Sequence, residues 1–93
     1  MTTFPIARFR LGRIVTTPNA LEKLTQPDIL LAIQRHQSGD WGEVSSDDHE
    51  KNELSLKEGS RLLSVYHSVS GVKFWLITEA DRSATTVLLP ADY

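Results

Sequence analysis

No cysteine occurs in this sequence, which excludes a disulfide framework and any site held by thiolates. With 93 residues and no such staple, the chain has to stabilise one domain by packing, with self-association as the remaining aid, so a homodimer is compatible with its size. Long apolar runs are missing as well: none approaches the roughly 20 residues that a spanning helix needs. The opening Met1-Thr2-Thr3-Phe4-Pro5 lacks the charged-then-apolar pattern of an export signal, so a cytoplasmic location without a membrane partner is expected. Nor is there an excess of charge of one sign, since the formal net charge is −2. Such a chain is not built as a general nucleic-acid binder, because phosphates call for a basic face. No glycine-rich phosphate loop, nucleophile elbow or HExxH motif is present, and no cofactor is expected.

What is present is the composition of a folded domain, 40% hydrophobic and 24% charged. The charge is unevenly spread: residues 1–35 carry +3, residues 36–60 carry −5, and the remainder is balanced. Phe9 to Thr16 reads as a strand, with Gly12 marking a bulge or a close backbone approach. On that strand Arg8, Arg10 and Arg13 read as a guard against edge-to-edge aggregation. Thr17-Pro18 and Thr25-Gln26-Pro27 are two helix starts, a hydroxyl cap followed by proline in the first turn. They predict a short helix over Asn19–Leu24 and a longer one over Pro27–Gln37, with Leu30, Leu31 and Ile33 as its apolar stripe. Ser38 to Gly42 breaks that helix, and a buried Trp41 would pin the break to the core. Ser46 to Glu58 predicts a third, surface-lying helix that Gly59 closes. From Arg61 the apolar period switches to two, and strands are expected over Arg61–Ser68, Val72–Thr78 and Thr85–Leu89. Their short links make them an antiparallel meander. The chain is therefore read as one α+β domain over residues 1–93, an N-terminal strand, two to three helices, then a three-stranded antiparallel meander, with the helices on one face.

Three groups of residues carry chemistry. His36 ends a helix where a cation is favoured, and Asp40 could orient it; alternatively His36 caps the helix and Gly39-Asp40 is only a turn. Arg61, Ser64 and Tyr66 lie on one strand, where a tyrosine ring ordinarily packs, while Arg61 has Glu79 or Asp81 within plausible reach. The densest polar string is Glu79, Asp81, Arg82, Ser83, Thr85 and Thr86, in which Thr78 and Thr86 are expected to pair across the hairpin. Asp81 and Ser83 are ordinary turn formers, so Glu79 and Arg82 are the surplus. His36, Asp40, Asp47, Asp48 and His49 supply nitrogen and oxygen donors, but their spacing matches no closed metal motif, and no metal is expected.

The strings Arg35-His36-x-x-Gly39-Asp40-Trp41-Gly42, then Asn52, Gly59-x-Arg61-Leu62-Leu63-Ser64-x-Tyr66 and Trp75-x-Ile77-Thr78-Glu79-Ala80-Asp81-Arg82-Ser83-x-Thr85-Thr86-x-Leu88-Leu89-Pro90-x-x-Tyr93 resemble a family of small bacterial proteins carried on plasmids and other mobile elements, a family without an assigned activity. That resemblance spans Gly12 to Tyr93 and implies a habitat rather than a reaction. The element order is also similar to RelE-like toxins and barnase-like ribonucleases, which cleave RNA without metal. That second likeness implies His36, Arg61, Tyr66, Arg82 and Thr86 as catalytic candidates with RNA as substrate, against which the acidic charge counts. The expected function is an accessory or regulatory module that binds another protein through Asp40, Trp41, Glu79, Asp81, Arg82 and Thr85; metal-independent RNA cleavage is the alternative.

Overall fold

Thr17 accepts a hydrogen bond from the Ala20 amide, and Thr25 exchanges bonds with Asp28 in a full capping box, so each of the first two helices starts where a hydroxyl satisfies its free N–H groups. In a computed structural model, which describes residues 6–93, they are α1 (Pro18–Lys23) and α2 (Gln26–Gln37). Ser45 caps α3 (Ser46–Glu58) in the same way, with Asp47 and Asp48 at its positive end, and Gly59 closes it at φ 74°. The strands are β1 (Arg13–Thr16), β2 (Leu62–His67), β3 (Lys73–Thr78) and β4 (Ala84–Leu88), and a single 3-10 turn (Pro90–Asp92) follows. The expected lack of an export signal concerns Met1–Pro5, which lie outside the described residues. Among the described residues no helix is long and apolar enough to cross a membrane.

The α+β architecture is as expected, with one correction. The four strands are ordered β1-β4-β3-β2, and β1 runs parallel to β4, so the sheet is mixed. A parallel neighbour requires a crossover, which α1, α2, α3 and the β2–β3 pair together provide. β1 is also shorter than the predicted Phe9–Thr16. Gly12 turns the chain at φ 65°, where a Cβ would meet the Ser83 backbone at 2.3 Å, so pairing begins only at Arg13.

Leu62, Ser64, Tyr66, Phe74, Leu76, Thr78, Thr85 and Val87 alternate onto the face that the helices cover, and all are buried. Ala20 and Leu24 of the α1 region, Ala32 of α2 and the partly buried Ile29 and Ile33 pack on them. Burying each large side chain in this layer contributes roughly 1.5–3 kcal/mol. The predicted stripe of α2 needs correction: Ile29, Ala32, Ile33 and His36 face inward, whereas Leu30 and Leu31 are 60% and 58% exposed. In α3 the inward residues are polar, Asn52 and Ser55, and Leu54 points outward.

Candidate functional site

His36 is the centre of a closed polar chain beneath the sheet. It projects from the last turn of α2, is fully buried, and lies between Ser64 of β2 and Thr78 of β3. Thr85 donates its hydroxyl to the Leu11 carbonyl at 2.8 Å, which commits its only proton. Thr78 therefore donates to Thr85 at 2.7 Å and accepts from the imidazole Nε2–H at 2.8 Å. Nδ1 is left as an acceptor for the Ser64 hydroxyl at 2.5 Å. One tautomer, neutral and protonated on Nε2, satisfies every member. Burial, helped by the positive charge of Arg82, pushes the His36 pKa down to about 4. A charged His36 at a helix end, oriented by Asp40, is thus replaced by a neutral core imidazole. The predicted Thr78–Thr86 pair is likewise replaced, because the register sets Thr78 opposite Thr85.

Around this imidazole the Gly39-Asp40-Trp41-Gly42 turn is locked into structure. Arg35 holds Asp40 at 2.7 Å, keeping that carboxyl below its usual range, and lies 4.5 Å over the Tyr66 ring. Tyr66 donates its hydroxyl to the Asp40 carbonyl at 2.5 Å, and burial raises its pKa. Trp41 is 2% exposed, sits edge-on to His36, stacks on Phe9, and donates its indole N–H to Glu53 at 2.9 Å. Glu53 is held in turn by Arg8 at 2.9 Å. A Cβ on Gly42 would lie 2.0 Å from the Val65 carbonyl, which is why only glycine lets this turn lie along β2.

The other sequence-derived group, the β3–β4 loop, lies across Phe9 from this turn rather than beside it. Arg82 has φ 61° and directs its guanidinium to the carbonyls of Ser60, Ser55, Glu79 and Ala80 at 2.6–3.2 Å, closing the C-terminal end of α3. Its Cζ is 5.9 Å from the Phe9 ring, which itself stacks on Trp41. Asp81 accepts from the Ser83 amide as a turn former. His36 and Thr85 therefore belong to one buried hydrogen-bonded chain against which Trp41 packs, Tyr66 and Asp40 fasten the adjoining turn, and the partly buried Arg82 meets it through Phe9. Among the described residues no group of three or more histidine, aspartate or glutamate side chains gathers to hold a metal ion.

Arg61, Glu79 and Thr86 lie elsewhere, on the sheet face opposite α1–α3, where the Pro90–Asp92 turn packs on β3 and Val65, Ile77 and Leu88 are buried. Arg61 pairs with Glu79 at 3.3 Å and donates to the Tyr93 hydroxyl at 3.1 Å. These groups rim a hollow of about 140 Å³ floored by Ile77, Thr86 and Leu88. Trp75 stands on the same face, edge-on to Tyr93 at 5.7 Å, and its indole N–H is buried without a partner among the described residues. Sequence reasoning did not name Trp75, Ile77, Leu88 or Tyr93 as site residues. The signal was there: β2 to β4 are apolar at both alternating sets of positions although helices suffice for one face only, so the second set needs a different cover. Comparison of the chain with protein-family models, with curated proteins and with solved structures gives no match.

Proposed function

We propose that the chain is a small non-catalytic accessory or regulatory module, fitting a mobile-element habitat, that binds another protein through the sheet face opposite its helices. The observation that carries this is the exposed Arg61–Glu79–Tyr93 cluster above Ile77, Thr86 and Leu88, with Trp75 beside it. An arginine and aromatics around an apolar floor are the side chains that dominate protein interfaces. The ion pair fixes the guanidinium. RNA cleavage is the weaker reading, because an acid–base pair must reach solvent-borne substrate, and His36 and Tyr66 are held inside by Ser64, Thr78 and the Asp40 carbonyl.

A photo-crosslinking residue at Thr86, with one at Lys51 on α3 as control, tests the proposal in the native host. The expected result is one protein captured at position 86 alone, with capture reduced about tenfold or more by Arg61→Glu or Tyr93→Ala. Capture that ignores both substitutions, or labelled RNA cut by catalytic amounts of the purified protein, would overturn it.

A further inference from the structure

The two edges of the sheet are treated differently by the chain. Along β2 the outward backbone groups of Leu63 and Val65 are occupied: Asn52 gives its amide N–H to the Leu63 carbonyl at 2.7 Å and accepts the Leu63 N–H at 3.0 Å. Val65 donates to the Trp41 carbonyl at 3.0 Å and accepts from the Glu43 amide at 2.8 Å. Over that central stretch the edge is sealed. Along β1 the parallel ladder uses Arg13, Val15 and Thr17, the Arg13 amide reaching the Ser83 carbonyl and the Thr17 amide the Val87 carbonyl. In such a ladder the bonding residues alternate, so Ile14 and Thr16 direct N–H and C=O outward, and no described residue meets them. Beside that edge Ile14, Thr16, Leu21, Ile29, Leu30 and Ile33 line an apolar groove of about 400 Å³.

Charge decides what fits there. Arg8, Arg35, Arg61 and Arg82 are each engaged with a carboxylate or with carbonyls, whereas Arg10 and Arg13, at and just before β1, are exposed and make no ion pair among the described residues. Arg13 and Val15 point to the sheet face opposite the helices, and Ile14 and Thr16 to the groove. A second copy would add its own Arg10 and Arg13 to an edge that already carries two arginines and no acidic residue, which disfavours β1 pairing with itself. We infer that β1 is a docking edge for an extended segment of a partner protein in which acidic residues, set against Arg13 and Arg10, alternate with apolar residues that enter the groove. Strand addition of this kind takes affinity from main-chain bonds and specificity from alternate side chains. The inference rests on the protein-binding reading and extends its surface, because Val15 lies directly beside Thr86.

The probe is a peptide of alternating aspartate and valine, compared with one of alternating lysine and valine, titrated into the isotope-labelled full chain and followed by amide shifts. The acidic peptide is expected to move the Ile14 and Thr16 amides and to bind about tenfold or more tightly than the lysine peptide. Arg13→Glu should reverse that preference, Leu30→Asp should weaken both, and Thr16→Pro, which removes an outward N–H without touching the β4 ladder, should abolish binding. Leu30 and Arg13 are exposed, so neither variant threatens folding. No shift at Ile14 and Thr16 with millimolar acidic peptide, equal binding of both peptides, or a β1-dependent dimer in sedimentation would overturn strand addition. If the crosslink at Thr86 persists while the peptide fails, the binding module stands and only this mode falls; loss of both removes the function as well.

Discussion

Whether a polar residue is chemistry or scaffold is decided at the level of single protons. Thr85 has one proton and gives it to Leu11, and that fixes the role of every group back to Ser64. The folded pKa of His36 is depressed from 6.5 to about 4, so between those values the unfolded chain binds the proton and the folded chain does not. Its contribution to stability is therefore complete above about pH 6.5, falls as pH drops from 6.5 to 4, and is fully lost below that, in total up to about 3 kcal/mol. Denaturant unfolding measured between pH 4 and 7 should show this slope, and His36→Gln should flatten it while costing stability at neutral pH. Imidazole nitrogen shifts should report a neutral ring protonated on Nε2 at neutral pH that begins to charge only as pH approaches about 4; a His36 that titrates near 6.5 would remove the tautomer assignment and the closed chain with it.

At the scale of elements, α3 acts less as a hydrophobic layer than as a polar clamp. Its contacts with the rest of the fold include the Asn52 amide on Leu63, the Ser55 carbonyl on Arg82, and Glu53 holding Trp41 and Arg8. Asn52→Ala would leave the Leu63 N–H and C=O unpaired and is expected to cost about 1–3 kcal/mol, read as a lower denaturation midpoint with the m-value unchanged. The same substitution at exposed Leu54 should cost little, and equal losses at the two positions would contradict the clamp. The span of α3 was legible because caps and dipole-matched charges are local signals. Its inward face was not, since periodicity finds apolar stripes and this helix turns polar residues inward. The same blindness reversed the stripe of α2, where Leu30 and Leu31 look like core in one dimension yet sit on the rim of a groove. His36 was legible as special but not as buried, because its partners come from two strands that are 28 and 42 residues away.

Over the whole molecule, the meander and the α+β layering follow from short links and alternating strands, whereas the parallel docking of β1 against β4 depends on a contact some 70 residues long in sequence that no local pattern encodes. That topology leaves the sheet graded in stability. β3 is bonded on both sides, by β2 and β4, and its inward side chains are completely enclosed. β1 has four residues, one neighbour, and two residues whose amides face outward. Native-state hydrogen exchange should therefore be slowest at the interior amides of β3, intermediate at Val15 and Thr17, and fast at Ile14 and Thr16, a span of roughly 4 kcal/mol or about a thousandfold in rate. Binding of an added strand would raise protection at Ile14 and Thr16 selectively, because those are the two donors it would engage. Uniform protection across β1 in the isolated monomer would mean that its outer edge is already covered and is not free to receive a partner.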